Sequence, residues 1–185
     1  MKKILLIMIL SASTSLLFAQ KDKEIIAPPD MPRNEENNQV YYKDVITEDG
    51  VDSKELYKRA LVWYRHFYKN PTGIVETSDS VTGTLVLKPQ AAVFREKDKV
   101  KVQSAIVRYT LVIGFKDGKY RYEIKDLNLK AASYVPIEKL FNASDPNLED
   151  NYNTLNEANK YFLALIDDLV ASMREPSNKV KTDEW

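Results

Sequence analysis

The chain has 185 residues, with 27 Lys and Arg against 27 Asp and Glu, 44% hydrophobic residues and no cysteine. A balanced charge supplies no general attraction for nucleic acid or an anionic membrane, and the missing thiols exclude disulfides, zinc–thiolate sites, thiol redox chemistry and a cysteine-linked lipid anchor. The length suits one core of ordinary size, which must be held by side-chain packing alone.

The chain opens Met1-Lys2-Lys3, runs through Ile4–Leu10, and reaches Ala19 by way of Ser11–Ser15 and Leu16-Leu17-Phe18. A basic start, a short apolar run and a small residue at a cleavage point make an export signal. The unbroken apolar run is far below the ~18 residues needed to span a bilayer. Cleavage after Ala19 separates residues 1–19 from a mature chain that starts at Gln20 and is expected to contain no transmembrane helix. Residues 20–39 are polar and carry three prolines, which reads as a flexible lead-in. Residues 40–174 form one domain, and 175–185 (EPSNKVKTDEW) read as a flexible tail.

Within the domain, Val40–Thr47 is rich in aromatic and β-branched residues and predicts a strand. Asp52 stands three residues before Glu55 as a capping box, with Val51 and Leu56 placed as a hydrophobic staple. Leu56, Ala60, Trp63 and Phe67 then recur at helical spacing, joined by Tyr57 and Tyr64, up to the stop at Asn70-Pro71. Ile74–Ser78 and Thr82–Leu87 predict a hairpin. The second strand reaches toward Phe94, but Pro89 has no N–H for a ladder and implies a bulge, bend or break. After a turn at Arg95–Lys99, Val100–Phe115 and Lys119–Leu129 form a long hairpin around Asp117-Gly118, a pair that tolerates the positive φ of a two-residue loop. Ala131–Asn153 reads as a loop long enough to act as a lid or partner arm, with Pro136–Phe141 packing as a short turn against the domain edge. Thr154 and Glu157 offer a second capping box. Leu155, Ala158, Phe162, Leu165, Leu169 and Met173 follow on one side of a closing helix, beside Ile166.

A two-residue loop fixes the hairpin's faces: Lys116 opposes Lys119, Phe115 opposes Tyr120, Ile113 opposes Tyr122 and Leu111 opposes Ile124. Tyr109, Leu111, Ile113, Phe115, Tyr120, Tyr122 and Ile124 share one side, and Arg108, Thr110, Val112, Gly114, Lys116, Lys119, Arg121, Glu123 and Lys125 the other. A sheet with one apolar and one polar side is covered on one side only. Both amphipathic helices need an apolar partner, so both are placed on the tyrosine side. The fold class is two-layer α+β, a curved antiparallel sheet in the order strand, helix, four strands, helix.

The pairing of Val51–Tyr64 (VDSKELYKRALVWY) with Phe115–Ile124 (FKDGKYRYEI), behind an export signal, resembles the domain-of-unknown-function family 4468, exported bacterial proteins with a TBP-like fold. The resemblance covers roughly Val40 to Met173 and implies the fold; it carries no activity and no site residues, and fold alone does not confer function.

Catalytic constellations are not recognisable. His66 is the sole histidine and has no acid within one helical turn, whereas triad chemistry needs an orienting partner. Asp145–Asp150 imitates a calcium loop but has Asp150 where glycine belongs and Asn156 where a bidentate glutamate belongs. Asp167-Asp168 reads as a solvated helix edge. The tyrosines share their side with Leu111, Ile113 and Ile124 and read as core rather than a stacking platform. On the opposite side Arg108, Lys116, Lys119, Arg121 and Lys125 outnumber Glu123. Charged residues commonly protect open strands; the same five also make a candidate partner-binding stripe. The sequence therefore points to a non-enzymatic binding or assembly module, exported to the periplasm or cell envelope of a Gram-negative bacterium or secreted. It implies no cofactor and no metal and does not identify the partner, for which an envelope protein or an anionic envelope component is the candidate. The alternative is a small carrier holding an apolar ligand between sheet and helices.

Overall fold

The computed structural model describes residues 27–97 and 99–179; the export signal, the start of the lead-in and the end of the tail lie outside them. Seven strands form one antiparallel sheet: β1 (Tyr42–Thr47), β2 (Val75–Asp79), β3 (Thr84–Leu87), β4 (Gln90–Lys97), β5 (Val100–Lys116), β6 (Lys119–Lys130) and β7 (Tyr134–Pro136). Helix α1 (Ser53–Phe67) lies between β1 and β2, and α2 (Leu148–Met173) closes the domain. The strand order is β1-β6-β5-β3-β2, with β4 beside β5 and β7 beside β6. This is the expected two-layer α+β fold, with two differences in strand count. The long strand expected to run past Pro89 is divided there: β3 pairs with the second half of β5 and β4 with the first half. A proline cannot donate to the ladder, and its carbonyl instead accepts the Tyr109 N–H at 3.3 Å. The short β7, three residues long, is an addition.

The β5–β6 register is the one that the Asp-Gly loop dictates, with Lys116 opposite Lys119, Phe115 opposite Tyr120, Ile113 opposite Tyr122 and Leu111 opposite Ile124. Gly118 has φ of +75°, the left-handed backbone such a turn needs. The turn is pinned from outside: Gly118 N donates to Val51 O at 2.8 Å, and Ser53 N donates to Asp117 Oδ1 at 2.8 Å. The hairpin tip therefore meets the first turn of α1.

Tyr109, Leu111, Ile113, Phe115, Tyr120, Tyr122 and Ile124 are all buried, together with Leu155, Ala158, Phe162, Leu165, Leu169 and Met173 of α2. Phe162 meets Tyr109 edge-on with ring centres 5.0 Å apart, and Tyr57 of α1 meets Phe115 edge-on at 5.6 Å. Burying such side chains contributes about 1.5–3 kcal/mol each, which holds both helices on the tyrosine side. Several phenols find partners inside the layer, though the Tyr120 hydroxyl does not: the Tyr109 hydroxyl lies 3.0 Å from those of Tyr68 and Tyr161, and Tyr42 donates to Asn159 Oδ1 at 2.7 Å. Burial, followed by the neighbouring phenols, pushes the Tyr109 hydroxyl well above its ordinary pKa.

Helix α1 begins as expected, with Asp52 Oδ1 accepting from Glu55 N at 2.7 Å. The reciprocal half of the capping box is replaced by a longer reach. Glu55 accepts from Arg59 Nε at 3.1 Å, from Ser177 N at 2.8 Å and from Ser177 Oγ at 2.9 Å. Burial alone would raise the Glu55 pKa, but these hydrogen bonds outweigh it and hold the carboxyl below its ordinary value. Arg59, which helical periodicity assigns to the solvated side, is only 8% exposed. Its Nη1 donates to Met173 O at 2.8 Å, capping the end of α2. The segment Ser177–Lys179 is a 3-10 turn tied to α1 through Glu55, so the tail assigned from Glu175 onward starts as ordered chain.

Two further segments differ from their sequence reading. Residues 27–39, grouped with the flexible lead-in on composition, dock onto the domain. Met31 is buried, Arg33 forms a bridge with Val40, and the Arg33 guanidinium lies 4.3 Å from the Phe141 ring centre. Helix α2 starts at Leu148 rather than near Thr154. Asp145 Oδ1 accepts from Asn147 N at 2.8 Å to set the preceding turn, while Thr154 donates to Asp150 O inside the helix. The stretch 131–153 is accordingly no free lid. It holds β7, a 3-10 helix at Ile137–Phe141 with Ile137 fully buried, and the first turn of α2. The short turn expected at Pro136–Phe141 is that 3-10 helix.

Candidate functional site

With both helices on the tyrosine side, the opposite side of the β5–β6 ribbon has only Thr110 buried; Lys116, Lys119 and Arg121 are exposed. The open face also carries apolar side chains in water: Val45 is 57% exposed, Tyr134 50% and Phe94 38%. The five cations picked out from sequence all lie on this face, but they do not act as one stripe.

Lys116 and Lys119 oppose each other beside the turn, and neither bonds an acid among the described residues. Arg121 and Lys125 flank Glu123, each with its nitrogen 3.5 Å from a carboxylate oxygen. Burial first and the nearby Glu123 carboxylate second raise the Tyr41 pKa. Arg108 stands apart, at the middle of β5. Its Nη1 donates to the Tyr134 hydroxyl at 3.2 Å, and its guanidinium lies 5.2 Å from that ring's centre.

Register assembles the hairpin end of the face. Val45 of β1 pairs with Arg121 of β6, Arg121 with Gly114 of β5, and Gly114 with Thr84 of β3. A groove of about 390 Å³ runs over this row and takes in Lys116 and Lys119. Gly114 lets the Arg121 side chain lie close across the strand: a Cβ there would lie 3.2 Å from Arg121 Nε. Neither Val45 nor Thr84 was singled out from the sequence. An isolated glycine inside an otherwise β-branched strand was the available signal, since it marks a place where another group approaches the backbone closely.

The remaining sequence candidates fall elsewhere. His66 is exposed on α1, with Nδ1 2.9 Å from Val62 O of its own helix. It lines a groove of about 730 Å³ that also holds Trp63 and Asp168. Asp168 there accepts the Trp63 indole N–H at 2.7 Å, so the α2 carboxylate pair contributes a tie between the helices. Asp145 closes the turn before α2. Among the described residues no helix is long and apolar enough to cross a membrane, and no three acidic, histidine or cysteine groups gather as metal ligands.

Comparison with known proteins agrees with the architecture. Residues 42–130 match the family model of the domain of unknown function DUF4468 with TBP-like fold. No curated protein matches the chain. Among solved structures, a TBP-like protein from Parabacteroides distasonis ATCC 8503 is similar with a TM-score of 0.64 at 15% identity, over 77% of this chain and 97% of that one. A DUF4468 family protein from Bacteroides ovatus ATCC 8483 is similar with a TM-score of 0.63 at 12% identity, over 80% of this chain and 93% of that one. Residues 42–130 are thus similar to the family suggested by Val51–Tyr64 and Phe115–Ile124, and the chain has the TBP-like fold.

Proposed function

We propose that this chain is an exported, non-enzymatic binding or assembly module of the cell envelope, and that its open sheet face docks an anionic envelope component. The supporting observation is the pairing of uncompensated cations, Lys116 and Lys119, with exposed Val45 and Arg121 on a face that neither helix covers. A solvated sheet back gains most from interspersed charges of both signs; here Lys116 faces Lys119 and the groove they line includes no acid. Export rests on the pattern of residues 1–19. Carriage of an apolar ligand between the layers is the weaker reading, because Tyr109, Leu111, Leu155 and Phe162 fill that space with essentially no exposure.

Affinity capture from intact envelopes, with proteins and lipids identified together by mass spectrometry, tests the docking face. The triple variant Arg108→Glu, Lys119→Glu, Arg121→Glu is expected to lose the anionic component that the native chain retains. Recovery of the same component at the same yield would remove the face from the account. Sequencing the mature N-terminus from a cell fraction tests export: the expected first residue is Gln20, and an intact Met1 in the cytoplasm contradicts it.

A further inference from the structure

We infer that the hairpin end of the open face is a seat for a phosphoryl group, built from Lys116, Lys119 and Arg121, with Arg121 laid across Gly114. This rests on the docking face proposed above and names the chemistry of its ligand. Like charges set directly opposite each other in an antiparallel pair destabilise it, yet the register holds Lys116 against Lys119. Two of the nearby acids are committed elsewhere. Asp117 accepts from Ser53 N at 2.8 Å, and Asp79, beyond Thr84 in the neighbouring row, accepts from Val81 N at 2.7 Å and Thr82 N at 3.1 Å of its own turn. The residues lining the groove include no acid, and Glu123 beside it is shared between Arg121 and Lys125.

Arg121 supplies the fork that fits oxyanions in a bidentate manner. Its Nε passes so near Gly114 that a Cβ there would come within 3.2 Å. A carboxylate offers one charge and is satisfied by one guanidinium. A phosphoryl group offers up to two charges and three acceptor oxygens, enough for both ammoniums and the guanidinium together. The group is carried either by a soluble ligand or by a lipid headgroup.

Calorimetric titration of the purified chain with pyrophosphate, with citrate, and with phosphatidylcholine vesicles made with or without phosphatidic acid tests the seat and separates the two sources. Saturable pyrophosphate binding that weakens with salt is expected. Binding of phosphatidic acid vesicles as well assigns the headgroup; pyrophosphate alone assigns a soluble ligand. Each single Lys116→Gln or Lys119→Gln change is expected to weaken binding roughly tenfold, the scale of one charge-assisted hydrogen bond. Gly114→Ala, which displaces Arg121, is expected to weaken it several-fold with an unchanged circular dichroism spectrum. The inference is overturned by no pyrophosphate binding, by citrate binding equally well, or by binding that both lysine variants retain. Should the triple charge reversal still abolish capture from envelopes in any of those cases, the docking face stands and only the phosphoryl assignment is lost.

Discussion

Residues one step apart along β5 and β6 belong to two different environments. Tyr109, Ile113, Tyr120 and Tyr122 are enclosed by α1 and α2, and the Tyr109 hydroxyl is shared with Tyr68 and Tyr161. Arg121, Lys116 and Lys119 stand in water, with a same-sign pair facing across the ladder. On the covered side nearly every contact serves stability, so the fold explains the residues. On the open side the fold needs only solubility, and an arrangement that costs a little stability asks for a different explanation.

That contrast can be broken most forcefully from the covered side. Phe162→Ala, which empties the position against Tyr109 and Tyr42, should cost about 3–5 kcal/mol in urea denaturation. Val45→Ala on the open face should stay within about 0.5 kcal/mol. Equal losses would mean that the two faces do not differ as described.

Next in size is the buried tie between the helices. Arg59→Met keeps the aliphatic stem but leaves Met173 O without its donor, and should cost about 1–3 kcal/mol by the same assay. The pH dependence of this tie has a definite sign. The Glu55 carboxyl is held below its ordinary value, so its contribution is complete above the unfolded pKa of ~4.3 and is lost as pH falls through the lower folded value. The stability gap between the native chain and Glu55→Gln should therefore be constant near neutrality and close below about pH 4. A gap that widened in acid would contradict the assignment.

A smaller effect is expected from Tyr109→Phe. It removes the hydroxyl linking Tyr68 to Tyr161 without opening a cavity and should cost about 1 kcal/mol. The smallest effect has the opposite sign. Lys119→Glu gives Lys116 an acid across the ladder and should raise stability by about 0.2–1 kcal/mol, while abolishing pyrophosphate binding. A variant that is both less stable and fully able to bind would show that the facing lysines are ordinary surface charges.

What could be read from the chain alone follows the same division. The hairpin register was legible because Asp117-Gly118 admits one loop and the period of two then assigns every side chain. The core stripe of α2 was legible from Leu155 to Met173 for the analogous reason, but its beginning was not. Thr154 and Glu157 have the residue types of a cap, and only the turn at Asp145-Pro146-Asn147 shows that the helix has already begun. Arg59 was misassigned because periodicity says which way a side chain points, not that a carbonyl of α2 waits there. Of the candidate face, the five cations and their common side were legible. Their separation into a free pair, a pair shared with Glu123 and an arginine on Tyr134 was not, since it depends on Gly114, Glu123 and β7 meeting in space.

Nitration of tyrosines by tetranitromethane, followed residue by residue with mass spectrometry, tests the division of the two faces most directly, because the reagent attacks accessible phenols. Tyr134, half exposed and on the open side, should be modified in the folded protein, while Tyr109 and Tyr120, each 1% exposed, should remain unmodified until the chain unfolds. Modification of Tyr109 or Tyr120 in the folded protein as fast as Tyr134 would contradict the arrangement on which the docking face depends.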